Sequence, residues 1–120
     1  MKISNFSLVE KNVKLEPNVA ISRNKLSVSI HRENEMPKAL IEDQLPCAIK
    51  VSIKIENEEK IKLMTASVTY FIIASEIIKY NCEETADEIF SHLRFLFVEK
   101  INELVKDVNL PPIPPERFNV

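Results

Sequence analysis

The 120-residue sequence contains no glycine and no tryptophan, and only two cysteines and two histidines. Average glycine usage of about 7% would give a chain of this length roughly eight. Without glycine, the chain cannot form a glycine-rich phosphate loop, a dinucleotide-binding turn or the nucleophile elbow of a hydrolase, because each needs a backbone that only glycine tolerates. These absences exclude several large enzyme classes. The few Cys and His residues are widely spaced and give no recognisable zinc or disulfide framework.

The charges nearly cancel, leaving a net charge of −2. No basic field large enough to hold nucleic acid is present, and no polybasic run suits an anionic membrane. The longest uninterrupted apolar run, residues 70–74, is far shorter than the ~20 residues of a spanning helix. No apolar segment follows Met1 as in a signal peptide. We therefore expect one domain over residues 1–120, located in the cytoplasm with reduced thiols, without a nucleic-acid partner or direct membrane insertion.

Alternation of apolar and polar residues predicts four strands. The clearest covers residues 47–56, where the odd positions from Cys47 to Ile55 are apolar and the even positions from Lys50 onward are polar. This pattern is typical of an antiparallel sheet with one solvated face. Three further strands are predicted over residues 1–15, 25–31 and 60–74.

Irregularities and turns are also visible in the pattern. The first strand changes phase near residues 10–12, which predicts a bend, and the last strand changes phase at Leu63-Met64, which predicts a β-bulge. A turn is predicted at Pro17-Asn18, and a hairpin turn at residues 57–59 in which Asn57 replaces the missing glycine at positive φ. Residues 32–44 predict a long connection, disordered in part over residues 33–35.

A long helix and an extended tail follow the strands. Thr85 and Glu88 fit a capping box with Thr85 as the N-cap, and the helix extends to about Asp107. Four prolines between residues 111 and 115 then force an extended tail. The predicted fold class is α+β: a four-stranded antiparallel meander sheet followed by one long helix and a Pro-rich tail. The apolar helix stripe consists of Phe90, Leu93, Phe97, Ile101, Leu104 and Val108. It is widened by Ile89, Leu96 and Val105 and is broader than one small sheet requires.

The tail has two interpretations. The stretch from Pro112 to Arg117 matches P-x-x-P-x-R, a pattern that domains with aromatic grooves bind. Alternatively, the extended tail packs against its own domain, which is the interpretation we favour.

Two kinds of chemical site are weighed against plainer explanations. His31, Cys47, Cys82 and His92 could in principle form a metal site, but their spacing matches none of the known patterns. Cys47 with a distant histidine could form a catalytic dyad, but no local signature accompanies it, and in an alternating strand it is better explained as a small core residue. We therefore predict no enzyme activity, no metal and no cofactor.

The apolar residues exceed what one sheet face needs, because both faces of the last strand become apolar from Tyr70 onward. Ordinary core burial is one explanation; a subunit interface or a groove for apolar polypeptide is the other. We expect a homo-oligomer, a dimer or a tetramer. The candidate residues for polypeptide binding or for a subunit interface are Tyr70, Phe71, Ile72, Phe90, Leu93 and Phe97.

The order of elements and the two ends of the chain resemble the SecB-like export chaperones. Asn5-Phe6-Ser7-Leu8, followed by Val13-Lys14-Leu15, is similar to the first strand of that family. The predicted helix, with Val98-Glu99-Lys100-Ile101 in its middle, is similar to the family's main helix. It runs, as in the family, into a proline-containing segment, here Asn109-Leu110-Pro111-Pro112-Ile113, which ends at Phe118-Asn119.

The resemblance implies a non-enzymatic holdase. Family members are dimers of dimers with their main helices at the interface, and unfolded polypeptide lies in apolar grooves lined by sheet and helix. Some members pass clients to the translocase motor, which docks on carboxylates of the outer sheet face. Because residues 61–74 contain no Asp or Glu, we do not expect motor docking. The chain stops at Val120, where the family's second helix begins, so we expect a groove that is shallower or absent.

Two functional hypotheses follow. The first is a cytoplasmic chaperone that holds unfolded or partly folded polypeptides on the apolar surface of an oligomer. The second is a dedicated adaptor of the same fold that binds one partner, such as an antitoxin or a phage-related protein.

Overall fold

The computed structural model describes residues 1–16 and 26–120. The turn predicted at Pro17-Asn18 and the first residue of the strand predicted from Lys25 lie outside the described residues. The elements are β1 (Lys2–Leu15), β2 (Ser27–Glu35), β3 (Gln44–Glu56), β4 (Lys62–Ser75), the helix α1 (Cys82–Asp107) and a short 3₁₀ helix (Pro115–Phe118).

The predicted α+β fold with a four-stranded antiparallel sheet and one long helix is confirmed, with one difference in strand order. β2, β3 and β4 form the expected meander, but β1 pairs with β4 instead of β2. The sheet order is therefore β1-β4-β3-β2, the order of a Greek key. Alternation along a strand specifies its faces but not its neighbour, so the sequence could not determine this order.

β2 and β3 are both longer than predicted. β2 continues through Glu35, which pairs with Ala48, so the connection predicted from residue 32 starts later and residues 33–35 are strand. β3 starts at Gln44 and includes Pro46, which pairs with Ile73 of β4. Pairing of β3 with β2 begins only at Ala48, so Pro46 has a neighbouring strand, β4, on one side only. Proline is tolerated at such edge positions, because no second ladder needs its missing N–H.

The phase change in β4 is a bulge, as predicted. Ile55 pairs with Met64 and Glu56 pairs with Lys62, so Leu63 is an additional residue in β4. Both Leu63 and Met64 are buried. The bulge thus returns the apolar residues that follow to the core side of the sheet.

α1 begins earlier than predicted, because Asn81 and not Thr85 is the N-cap. The Asn81 Oδ1 accepts the backbone N–H of Glu84 at 3.1 Å, and the Thr85 Oγ1 accepts the N–H of Asn81 at 3.3 Å. Thr85 therefore lies one turn inside the helix, where its hydroxyl bonds back to the backbone of the N-cap residue. The end at Asp107 agrees with the prediction. In the described part of the chain, no helix combines the length and apolar character needed to span a membrane.

The core lies between α1 and one face of the sheet. Alternate residues of β3 and β4 are buried, and the Phe97 ring of α1 packs edge-on against Tyr70 of β4 with the ring centres 5.2 Å apart. The tail closes the same core. The buried apolar residues of the helix and tail are Ala86, Ile89, Phe90, Leu93, Phe97, Ile101, Leu104, Val105, Leu110, Ile113 and Phe118.

The Pro-rich tail packs against its own domain. The Asn102 amide donates to the Ile113 carbonyl at 3.0 Å and accepts the Ile113 N–H at 2.8 Å. Arg117 donates to the carbonyl of Val28 in β2 at 2.7 Å. Because the Ile113 side chain is buried and its backbone groups are bonded, the P-x-x-P stretch is held on its own domain, and only its prolines are exposed.

Among residues 1–16 and 26–120, five have positive φ: Glu42, Asp43, Lys60, Glu76 and Asn109. In the β3–β4 turn this residue is Lys60, at 60°, and not the predicted Asn57. The Asn57 side chain instead accepts the N–H groups of Glu59 and Ile61, each at 2.9 Å. Asn57 therefore shapes the turn through its amide oxygen.

Candidate polypeptide-binding surface

Apolar side chains of β1 are exposed on the same side of the sheet as α1. Phe6, Leu8, Val13 and Leu15, the β1 stripe, are 44%, 41%, 38% and 42% exposed. Each is paired with a buried residue of β4, and these partners are Ile72, Tyr70, Ala66 and Met64. The core thus continues to the edge of the sheet as an exposed apolar strip.

The β1 stripe exists because the register of β1 shifts at Val9. Phe6 and Leu8 occupy even positions, whereas Val13 and Leu15 occupy odd positions. A register shift between Leu8 and Glu10 places both pairs on one face. The sequence predicted a bend nearby, at residues 10–12, but not that the bend unites two apolar sets.

Tyr70 connects the β1 stripe to the core. Its ring centre lies 6.3 Å from that of Phe6 and 5.2 Å from that of Phe97. Burial is the main cause of a raised pKa of the Tyr70 hydroxyl. A continuous row of aromatic contacts therefore links the exposed strand to the helix.

The six residues predicted to form the binding or subunit surface are divided between two places. Five of them lie in the core beneath α1 and are at most 4% exposed: Tyr70, Ile72, Phe90, Leu93 and Phe97. Phe71 is 38% exposed, but it alternates with Tyr70 and Ile72 and lies on the sheet face away from α1. A direct role of these six residues in binding stays a prediction.

β1 is also an edge strand. It pairs with β4 on one side, and no other strand among residues 1–16 and 26–120 pairs with it. An unpaired edge offers alternating N–H and C=O groups to an incoming strand. The edge of β1 and the β1 stripe can therefore hold an extended apolar segment by both backbone and side-chain contacts. Charged groups of α1 border the β1 stripe near Tyr70, where the Lys100 Nζ and the Glu103 Oε2 lie 3.5 Å apart.

The cysteines lie in contrasting surroundings. Cys47 is 3% exposed in β3, and burial raises its pKa from 9.0 to about 11, whereas Cys82 is exposed at the start of α1. In the described ranges, no three His, Cys, Asp or Glu side chains are arranged to hold a metal ion.

We expect a thiol reagent at pH 8 to modify Cys82 rapidly and Cys47 only when the protein unfolds, because the thiolate is the reactive form. Intact mass after timed labelling, with and without denaturant, measures this. Cys82→Ser should remove the fast reaction, and rapid modification of both thiols in native protein would contradict the burial of Cys47.

The pKa of Cys47 is raised in the folded state, so the free energy of unfolding should fall as the pH increases from 9.0 toward 11.

No family model and no curated protein matches the sequence. The structure is similar to a solved one, the Mycobacterium tuberculosis SecB-like chaperone Rv1957 in complex with a ChAD peptide from the Rv1956 HigA1 antitoxin. The TM-score is 0.69 over 93% of this chain and 86% of that chain, with 14% sequence identity. Similarity at this identity is informative about architecture and not about individual residues. The protein therefore has the α+β fold of a SecB-like chaperone.

Proposed function

We propose that this protein is a non-enzymatic chaperone or adaptor that holds an extended polypeptide segment along β1. The observation that carries the proposal is the β1 stripe, four half-exposed apolar side chains on an edge strand whose outer side pairs with no other strand of the described residues. Pairing with the strand edge supplies hydrogen bonds that do not depend on sequence, and the stripe selects apolar residues at alternate positions. Covering apolar surface stabilises the complex by about 25 cal/mol per Å².

The similarity in fold supports a polypeptide as the ligand. The solved chaperone is bound to a peptide from an antitoxin. By analogy, the ligand here is an unfolded or partly folded client or a segment of one dedicated partner. The second candidate, a dedicated adaptor, is favoured by that antitoxin peptide in particular.

The proposal includes a homo-oligomer, a dimer or a tetramer, acting in the cytoplasm. A second copy of β1 is as able to pair with the free edge as a client strand is, so assembly and client binding compete for part of one surface. In this arrangement Tyr70, Phe90 and Phe97 support the surface from below. The strand β4 has no carboxylate on its outer face, so the proposal does not include docking on a translocase motor.

The test compares client binding by two variants with equal numbers of apolar-to-serine changes. Phe6→Ser with Leu8→Ser should weaken binding of a labelled, alkylated unfolded protein by about tenfold or more, because each side chain contributes apolar contact area. Ile41→Ser with Ile78→Ser, at two exposed residues outside β1, is the control and should bind normally. Fluorescence anisotropy gives the affinity, and light scattering gives the mass of the protein with and without client.

Two results would overturn the proposal: wild-type protein that binds neither an unfolded client nor a dedicated partner, or equal weakening in both variants at unchanged melting temperature. Several unrelated clients distinguish the two candidates. A general chaperone binds most of them near stoichiometrically, whereas a dedicated adaptor ignores them and binds one partner.

A further inference from the structure

A cluster of charged and aromatic side chains lies between β2 and α1, at the edge of the sheet opposite β1. Arg32 of β2 forms an ion pair with Asp87 of α1, and its guanidinium carbon lies 4.8 Å from the centre of the Phe90 ring. Arg94, one turn beyond Phe90, lies 5.5 Å from the same ring centre. Two arginines from different elements thus contact one aromatic ring, which positions both guanidinium groups.

Arg94 has hydrogen-bonding capacity that the described chain does not use. Its Nε is buried and has no hydrogen-bond partner within residues 1–16 and 26–120. The ion pairs of the same ranges do not include Arg94. A buried donor without a partner costs about 1–3 kcal/mol. With one carboxylate for two guanidinium groups, the cluster has a local charge of +1 and is suited to one further anion.

The cluster is next to the second free edge of the sheet. β2 pairs with β3 on one side, and no described strand pairs with its other side. Arg32 lies on the α1 side of β2, opposite the buried Val51. On a strand added to β2, the residue directly opposite Arg32 would have its Cβ within about 5 Å of the Arg32 Cβ. A side chain there is within reach of the Arg32 guanidinium, which contacts the same Phe90 ring as the Arg94 guanidinium.

We infer that the cluster of Arg32, Phe90 and Arg94 binds the carboxylate of an acidic residue in an extended polypeptide segment that pairs with the free edge of β2. A planar guanidinium matches a carboxylate through two parallel hydrogen bonds, and the orphaned Arg94 Nε–H is one such donor. A second copy of β2 does not supply this ligand, because its residues on the α1 side, Val28, Ile30, Arg32 and Asn34, include no acid. The site is separate from the β1 stripe and does not depend on it.

The first experiment follows the arginine Nε–H resonances by nitrogen-15 NMR. Sodium acetate should shift the Arg94 signal more than that of Arg117, whose guanidinium already donates to a backbone carbonyl. The second experiment measures binding of a ten-residue peptide of alternating Val and Thr with one central Glu, and of its Gln twin. The Glu peptide should bind wild type about tenfold more tightly than the twin. Arg94→Gln should abolish that preference, and Arg94→Lys should keep only part of it.

Lys106→Gln, which removes an exposed charge elsewhere on α1, is the matched control and should keep the tenfold preference. Equal binding of the two peptides to wild type, or an equal loss of preference in Lys106→Gln, would overturn the inference. So would complete displacement of the Glu peptide by an equal concentration of inorganic phosphate, which would indicate a small-anion site. The Phe6→Ser, Leu8→Ser variant should keep the preference, so a failure at the β1 stripe is distinguishable from a failure here.

Discussion

Replacing Phe97 by alanine is expected to lower the free energy of unfolding by about 3–5 kcal/mol. The Phe97 ring is fully buried, and its centre lies 5.2 Å from that of Tyr70 and 5.4 Å from that of Phe90. Removing it leaves a cavity between α1 and β4 that two rigid elements cannot close. Because small domains are stable by about 5–15 kcal/mol, the variant should lose a large part of its stability. Urea unfolding followed by circular dichroism measures the change.

Phe95→Ala is the matched control, since Phe95 is two residues away on the same helix and 61% exposed. We expect this variant to differ from wild type by less than about 0.5 kcal/mol. Similar losses in the two variants would mean that α1 is rotated relative to the sheet. A larger loss for Phe95 would point to a subunit interface on the exposed side of α1.

The second large effect is expected at Phe118→Ala, in the short 3₁₀ helix beyond the prolines. Phe118 is fully buried, and the segment that carries it is attached through Asn102 and Arg117. We expect a loss of about 3–5 kcal/mol, comparable to that of a residue in the middle of α1. Thermal unfolding and urea unfolding should agree on the value.

Val120→Ala, at a residue that is 39% exposed, should leave the midpoint of unfolding within experimental error. If Phe118→Ala is equally silent, the tail is not part of the core. The P-x-x-P stretch would then regain its interpretation as an exposed ligand.

Much of the fold could be predicted from the sequence, because local periodicity reports which side of an element is buried. The alternation in β3, the additional residue at Leu63 and the buried stripe of α1 are all direct consequences of such periodicity. Boundaries were less accurate. β2 continues through polar residues because pairing with β3 outweighs their weak strand preference. The N-cap is Asn81 because its side-chain oxygen accepts a backbone N–H of the first helical turn as well as a threonine hydroxyl does.

The candidate sites could not be predicted in the same way, because they depend on contacts between distant residues. The β1 stripe requires the register shift at Val9, and its two halves are out of phase in the sequence. Arg32 falls in a segment predicted to be a connection, yet it contacts Asp87 and Phe90, more than fifty residues away. The resemblance to SecB-like chaperones predicted the architecture, whereas the surfaces belong to this chain's own residues.

The lack of glycine affects the response of the protein to heat. Each non-glycine residue with positive φ costs about 1 kcal/mol in the folded state, and the part of the chain that the structure describes has five such residues. In the unfolded state the same composition acts in the opposite direction, because a chain without glycine has fewer backbone conformations to lose. The entropy gained on unfolding should then be below the usual value of about 2.1 cal/mol/K per residue. That entropy sets how steeply the free energy of unfolding changes with temperature. The protein should therefore combine strained turns with a shallower decline of its stability on warming.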